Sequence, residues 1–148
     1  MDYSLGLISA KSYSEKQIAE KLIKKGFSTG DAGKSIKKLK EYGYINDEKF
    51  GERLIENGKR KLTGRIKLSY ELYTKGINKN LRDELIEKFY TEDEEKEIAV
   101  KAMDKKQVSL IKYRENELIF KKKLYDFLQG RGFSSGIIED ILNSNKSN

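Results

Sequence analysis

The chain contains no cysteine, no histidine and no proline. Without cysteine there is no disulfide, no thiolate nucleophile and no thiolate metal site. Without histidine the usual zinc ligand is missing, as is the side chain that most readily moves protons at neutral pH. Without proline no residue obliges a helix to stop, and abundant Lys, Glu, Leu and Ile favour helices throughout. No apolar run reaches the length of a membrane span, and the N-terminus lacks the charged-then-apolar layout of a signal. These absences predict a soluble, cytoplasmic, helical protein that is not an enzyme and uses no metal, cofactor or small-molecule substrate.

What is present is charge. Charged residues make up 37% of the 148 residues, yet Leu, Ile, Phe and Tyr recur too regularly for a disordered chain. The length suits one domain of ordinary size with a real core. The net charge of +7 is uneven: residues 1–90 hold 20 Lys/Arg against 13 Asp/Glu, and residues 91–148 hold 11 against 11. A polyanionic partner is therefore expected to meet the first ninety residues.

One phrase is written three times: LIKKGF at 22–27, LYTKGI at 72–77 and LQGRGF at 128–133. Each reads as a helix end, where glycine takes the left-handed turn, the apolar residue folds back and the basic residue suits the helix's negative end. Helices flank each phrase. Ser14 with Gln17 and Thr91 with Glu94 look like capping boxes, and Asn46, Asn78 and Ser134 are further caps. Ile18, Leu22 and Ile23 share a face, as do Leu81, Leu85, Ile86 and Phe89, then Ile137, Ile138, Ile141 and Leu142. A break is expected around 108–112, and residues 144–148 read as a frayed tail. The fold predicted is all-α, three tandem three-helix repeats (1–45, 46–90 and 91–148) in an elongated, curved helical stack.

Two motifs invite wrong readings. Residues 28–35, Ser-Thr-Gly-Asp-Ala-Gly-Lys-Ser, differ by one residue from a phosphate-binding loop. That loop needs a glycine where Ser28 stands and a strand ahead of it, whereas residues 16–25 have helical periodicity; a helix start is the better reading. The acidic run Glu92-Asp93-Glu94-Glu95 lacks the turning loop a calcium site needs and instead complements a helix N-terminus.

The basic stretch between the first two phrases is the stronger candidate. Lys59, Arg60, Lys61, Arg65 and Lys67 place five cations in nine residues, and Lys24 and Lys25 add charge in the first repeat. Such density attracts phosphates by counterion release; the alternative is an ordinary solvated face. Phe27, Phe50, Phe89 and Phe133 sit at core positions, while Tyr70, Tyr73 and Tyr113 are less constrained and offer stacking surfaces if exposed.

Three ordered passages resemble the RecX family of recombination regulators. The first comprises Tyr13-Ser14-Glu15, Lys21-Leu22, Lys25-Gly26-Phe27-Ser28, Leu39 and Gly43-Tyr44-Ile45-Asn46-Asp47-Glu48 with Phe50. The second is Gly64, Lys67-Leu68, Glu71-Leu72 and Lys75-Gly76-Ile77; the third is Lys123-Leu124-Tyr125, Phe127-Leu128 and Arg131-Gly132-Phe133-Ser134. The chain departs from the usual pattern at Asn46-Asp47, where two acidic residues are common, and at Lys67-Leu68, where an Arg-Ile pair is common. Residues 104–117 match nothing familiar, and some members carry longer N-termini. The resemblance implies three tandem three-helix repeats that bind the RecA-type recombinase filament on single-stranded DNA. Such proteins lie in the filament's helical groove and usually inhibit, lowering ATP hydrolysis and strand exchange and limiting filament growth. A monomer is expected, and direct contact with single-stranded DNA is left open. Two other readings are a stand-alone basic nucleic-acid-binding module and a helical scaffold for another protein.

Overall fold

A computed structural model describes residues 13–146. Among the described residues there are eight α-helices and one short 3-10 turn: α1 (Glu15–Lys25), α2 (Thr29–Glu41), α3 (Asp47–Arg60), α4 (Arg65–Thr74), α5 (Lys79–Phe89), α6 (Glu92–Ser109), the turn Ile111–Tyr113, α7 (Glu117–Gly130) and α8 (Ser135–Lys146). The expected three-helix first repeat (1–45) extends over residues 1–12, which lie outside the described residues, as do positions 147 and 148 of the expected frayed tail. Residues 144–146, read as part of that tail, continue α8 instead.

The thrice-written phrase is one local device. Phe27, Ile77 and Phe133 each donate their amide to the carbonyl five residues back, on Leu22, Leu72 and Leu128, at 3.0, 3.1 and 3.2 Å. The intervening Gly26, Gly76 and Gly132 have φ of 115°, 88° and 93°, a region that a Cβ disfavours. The residue after each apolar lock caps the next helix: Ser28, Asn78 and Ser134 accept from the amides of Asp31, Leu81 and Ile137. Glycine stop, apolar lock and polar cap thus turn the chain within four residues.

The capping boxes at Ser14–Gln17 and Thr91–Glu94 both form, and Asn46 caps α3. Residues 29–41 are helical from the Ser28 cap onward, so the phosphate-loop look-alike is a helix start. The expected break appears where α6 gives way at Ser109 to the 3-10 turn. Ile23 departs from expectation. It is 50% exposed, because Ile18 and Leu22 already fill the inward stripe of α1.

Two cores result. Ile18, Leu22, Ala32, Ile36, Leu39 and Ile45 form a small one in the first repeat. A larger, continuous core joins the second and third repeats, with Ile55, Leu68, Leu72, Tyr90, Leu124, Leu128 and Phe133 among its members. The second and third repeats thus share one core and bury more apolar surface together than two separate small units would, whereas the first keeps a core of its own.

The repeats meet through a recurrent joint. The Ser14 hydroxyl, at the start of α1, donates to the carbonyl of Lys75 at 2.6 Å. One repeat later the Gly64 amide, at the start of α4, donates to the carbonyl of Arg131 at 2.8 Å. In both cases the residue capping a helix grips the carbonyl just before the next repeat's glycine. Close approach is enforced: a Cβ on Gly76 would strike Lys16, and one on Gly132 would strike Lys67.

Candidate functional site

The basic stretch at 59–67 turns out to wrap the joint between the second and third repeats. Its four-residue bend (61–64) joins the end of α3 to the start of α4, with Leu62 in the left-handed region at φ 58°. That conformation costs a non-glycine residue about 1 kcal/mol, and Arg131 holds it in place. The Arg131 guanidinium donates from Nε to the Leu62 carbonyl at 3.3 Å and from Nη2 to the Lys61 carbonyl and the Thr63 hydroxyl. Behind it, the buried Tyr90 hydroxyl donates to the Thr63 carbonyl at 2.7 Å.

Not all the cations of this stretch face outward. Lys59 has only 16% of its side chain exposed; its Nζ lies 2.5 Å from Glu94 and 3.4 Å from Glu56, and donates to the Phe89 carbonyl at 2.9 Å. Burial works to lower its pKa, but the two carboxylates outweigh it and the net direction is upward, so Lys59 stays charged. Glu94 is correspondingly pulled down by that lysine. Arg65 is half-buried beside Glu95, a fully enclosed glutamate that accepts the Arg65 amide at 2.7 Å. Burial pushes the Glu95 carboxyl up, against the opposing pull of Arg65. The acidic run is therefore more than a solvated helix start, since two of its members are parts of the joint.

Arg60, Lys61 and Lys67 remain exposed. Arg60 is steadied by Asn57 at 2.7 Å, and the stem of Lys67 packs over Gly132 while its ammonium reaches solvent. Arg131 joins them from the third repeat. The structure thus gathers Arg60, Lys61, Lys67 and Arg131 around one joint, whereas Lys24 and Lys25 lie on the first repeat, at the exposed end of α1. Sequence reasoning missed Arg131 because its partners lie about seventy positions away; only its place in the repeated phrase marked it.

Chemically, this is a cluster of cations on a bonded bend, suited to phosphates or carboxylates through charge density. Of the tyrosines singled out, Tyr70 and Tyr73 are exposed, with rings 6.1 Å apart, while Tyr113 is partly buried with Lys112 and Lys123 over its ring. No group of three or more metal-ligating side chains occurs among the described residues. Nor is any described helix long and apolar enough to cross a membrane.

Comparison with known proteins decides the family. The model of the third three-helix domain of RecX matches residues 92–142, and that of the first matches residues 1–44. The regulatory protein RecX of Caldanaerobacter subterraneus subsp. tengcongensis is 34% identical over 142 residues, which cover 96% of this chain and 68% of that protein. The chain belongs to the RecX family. A second RecX regulatory protein, from Pelodictyon phaeoclathratiforme, is 32% identical over 96% of this chain and 86% of its own length. The RecX protein of Clostridium tetani is 35% identical over 90% of this chain, a match that spans 61% of that longer relative. The crystal structure of RecX from Lactobacillus salivarius superposes with a TM-score of 0.89 at 21% identity, covering 99% of this chain and 94% of that one. The helical repeat fold is therefore that of known RecX structures, and a regulatory role comes with the family.

Proposed function

We propose that this protein is a non-enzymatic regulator of a RecA-type recombinase, binding the filament that the recombinase forms on single-stranded DNA and lowering its ATP hydrolysis, strand exchange and growth. The observation that carries the reading is membership of the RecX family over nearly the whole chain. The fold supports it. Repeats of about 45–58 residues (1–45, 46–90 and 91–148) joined by a recurring contact make a body that can follow a filament's helical groove and touch more than one protomer. The cationic joint supports it too, since Arg60, Lys61 and Lys67, with Lys24 and Lys25 as a second patch, face solvent, and the partly buried Arg131 adds its charge beside them while bonded to the bend. Lys59 and Arg65 serve this surface from beneath by holding the bend in shape. In this reading the protein acts as a cytoplasmic monomer, with no cofactor and no small-molecule substrate.

Co-sedimentation with recombinase filaments, with and without single-stranded DNA and across a salt series, tests the proposal. The protein is expected to pellet with DNA-bound filaments and to release as salt rises. Salt-dependent binding to the bare oligonucleotide, with no pelleting beyond what that binding explains, would instead favour the stand-alone nucleic-acid module.

A further inference from the structure

The middle repeat breaks a pattern that its neighbours keep. Ile18, Leu68 and Leu124 are equivalent core residues, as are Leu22, Leu72 and Leu128, each four residues ahead of the repeat's glycine. Two residues before each pair begins, the helix turns outward. There the first repeat has Lys16 paired with Glu20 at 3.9 Å, and the third has Lys122 paired with Asp126 at 3.0 Å. Both are ordinary solvated ion pairs spaced four apart. At these two positions the second repeat has Ile66 and Tyr70, which are 58% and 65% exposed. Tyr73, one turn further along α4, is 60% exposed, so three large apolar side chains line one outward face.

This stripe is held in order and borders a groove. The Arg82 guanidinium stacks on the Tyr73 ring with 5.3 Å to its centroid, and is tied by a 2.8 Å bond to the Ile77 carbonyl. Ordering the ring in advance lowers the entropy that binding would cost. Beside Ile66 and Ser69 opens a cleft of about 540 Å³, with Ile86 and Ile137 in its floor and Asp83, Glu87 and Glu92 on its rim. Arg65 also borders the cleft; Glu95 accepts its backbone amide and feels the attraction of its charge, so against this one cation the lining sets four carboxylates, Asp83, Glu87, Glu92 and Glu95. Asp83 has a loose partner in Lys79 at 3.9 Å, and neither Glu87 nor Glu92 is in an ion pair among the described residues. The rim is net negative. It repels phosphate and suits a cation flanked by apolar anchors, and tyrosine is among the side chains on which protein interfaces concentrate their energy.

We infer that the Ile66–Tyr70–Tyr73 face of α4 and the acidic groove beside it are a protein-docking surface, which takes a segment of the recombinase presenting an aliphatic anchor next to a Lys or Arg. This rests on the function proposed above and adds to it a division of labour: the cations at the joint serve phosphate, and the acidic, aromatic face serves protein.

The test compares wild type, Ile66→Ser/Tyr70→Ser and Glu87→Lys/Glu92→Gln, all at exposed positions, for binding to recombinase filaments on single-stranded DNA and to the bare oligonucleotide. Both double variants are expected to bind filaments about tenfold more weakly or worse; Ile66→Ser/Tyr70→Ser keeps the wild-type oligonucleotide affinity, and Glu87→Lys/Glu92→Gln, which loses the acidic rim, binds the oligonucleotide at least as tightly as wild type. Filament binding equal to wild type in both variants overturns the inference and leaves the proposed function standing. A loss of oligonucleotide binding in Ile66→Ser/Tyr70→Ser also overturns it, because the stripe would then be a base-stacking platform. If wild type itself fails to bind filaments, both readings fall together.

Discussion

The Gly64 amide donates to the Arg131 carbonyl at 2.8 Å, tying the start of α4 to the end of α7 across the boundary between two repeats. Neighbouring this bond, Ile66 donates to the Gly132 carbonyl at 3.1 Å. The backbones approach so closely that a Cβ on Gly64 would overlap the Gly132 carbonyl group itself. Backbone cannot step aside as a side-chain tip can. Gly64→Ala should therefore destabilise the protein by about 3 kcal/mol through overpacking. Gly33→Ala, inside α2 with nothing within 4 Å of the new methyl group, should instead stabilise by about 0.5–1 kcal/mol. Urea denaturation of both variants checks the pair.

A second prediction separates structural from partner-facing cations. Lys59→Met removes the bonds to Glu94 and to the Phe89 carbonyl, and should lower stability by about 1–2 kcal/mol. Replacing Arg60, Lys61 and Lys67 together by Gln should hardly move the melting temperature, because all three ammonium and guanidinium groups are exposed. The same triple change should flatten the salt dependence of filament or DNA binding, by about one unit of slope for each phosphate that is no longer neutralised. Thermal melts and a binding series at several salt concentrations read the two effects separately.

Much of the fold was legible because its punctuation is local. Gly26, Gly76 and Gly132, with the apolar residue and the cap that follow each, encode their turns within four residues, and chain-wide repetition exposed the architecture. The joint was less legible. Lys59 and Arg65 look like free surface charges in sequence, yet Glu94, which pairs with the Lys59 ammonium, and Glu95, which accepts the Arg65 backbone amide, lie about thirty positions on and arrive only when α6 packs against the bend. Glu95 looks solvated for the same reason. Ile23 misled in another way, since it stands 50% exposed on α1 while Ile18 and Leu22 already fill the inward stripe. The acidic groove by Ile66 joins residues of α4, α5, α6 and α8, so no single stretch of sequence displays it.

The enclosed Glu95 makes a prediction about pH. Burial raises its pKa in the folded protein, so the folded state binds its proton more tightly than the unfolded chain does. Stability is then greatest at low pH for this group, and falls as pH rises from the ordinary glutamate value, about 4.3, toward the raised one. Asp47, half-buried at the joint between the first two repeats and also raised chiefly by burial, acts with the same sign. Comparing wild type with Glu95→Gln cancels the Asp47 contribution. The glutamine keeps an acceptor for the Arg65 amide and cannot ionise, so it should gain stability relative to wild type across that interval and hold the gain above it. Melting temperatures measured from pH 4 to pH 7 check the direction.

The most direct test of the central claim is the rate of ATP hydrolysis by recombinase filaments on single-stranded DNA as this protein is added up to stoichiometric excess. The account predicts that the rate falls progressively with added protein, and falls less when Arg60, Lys61 and Lys67 are replaced by Gln. An unchanged rate at excess wild-type protein would contradict it.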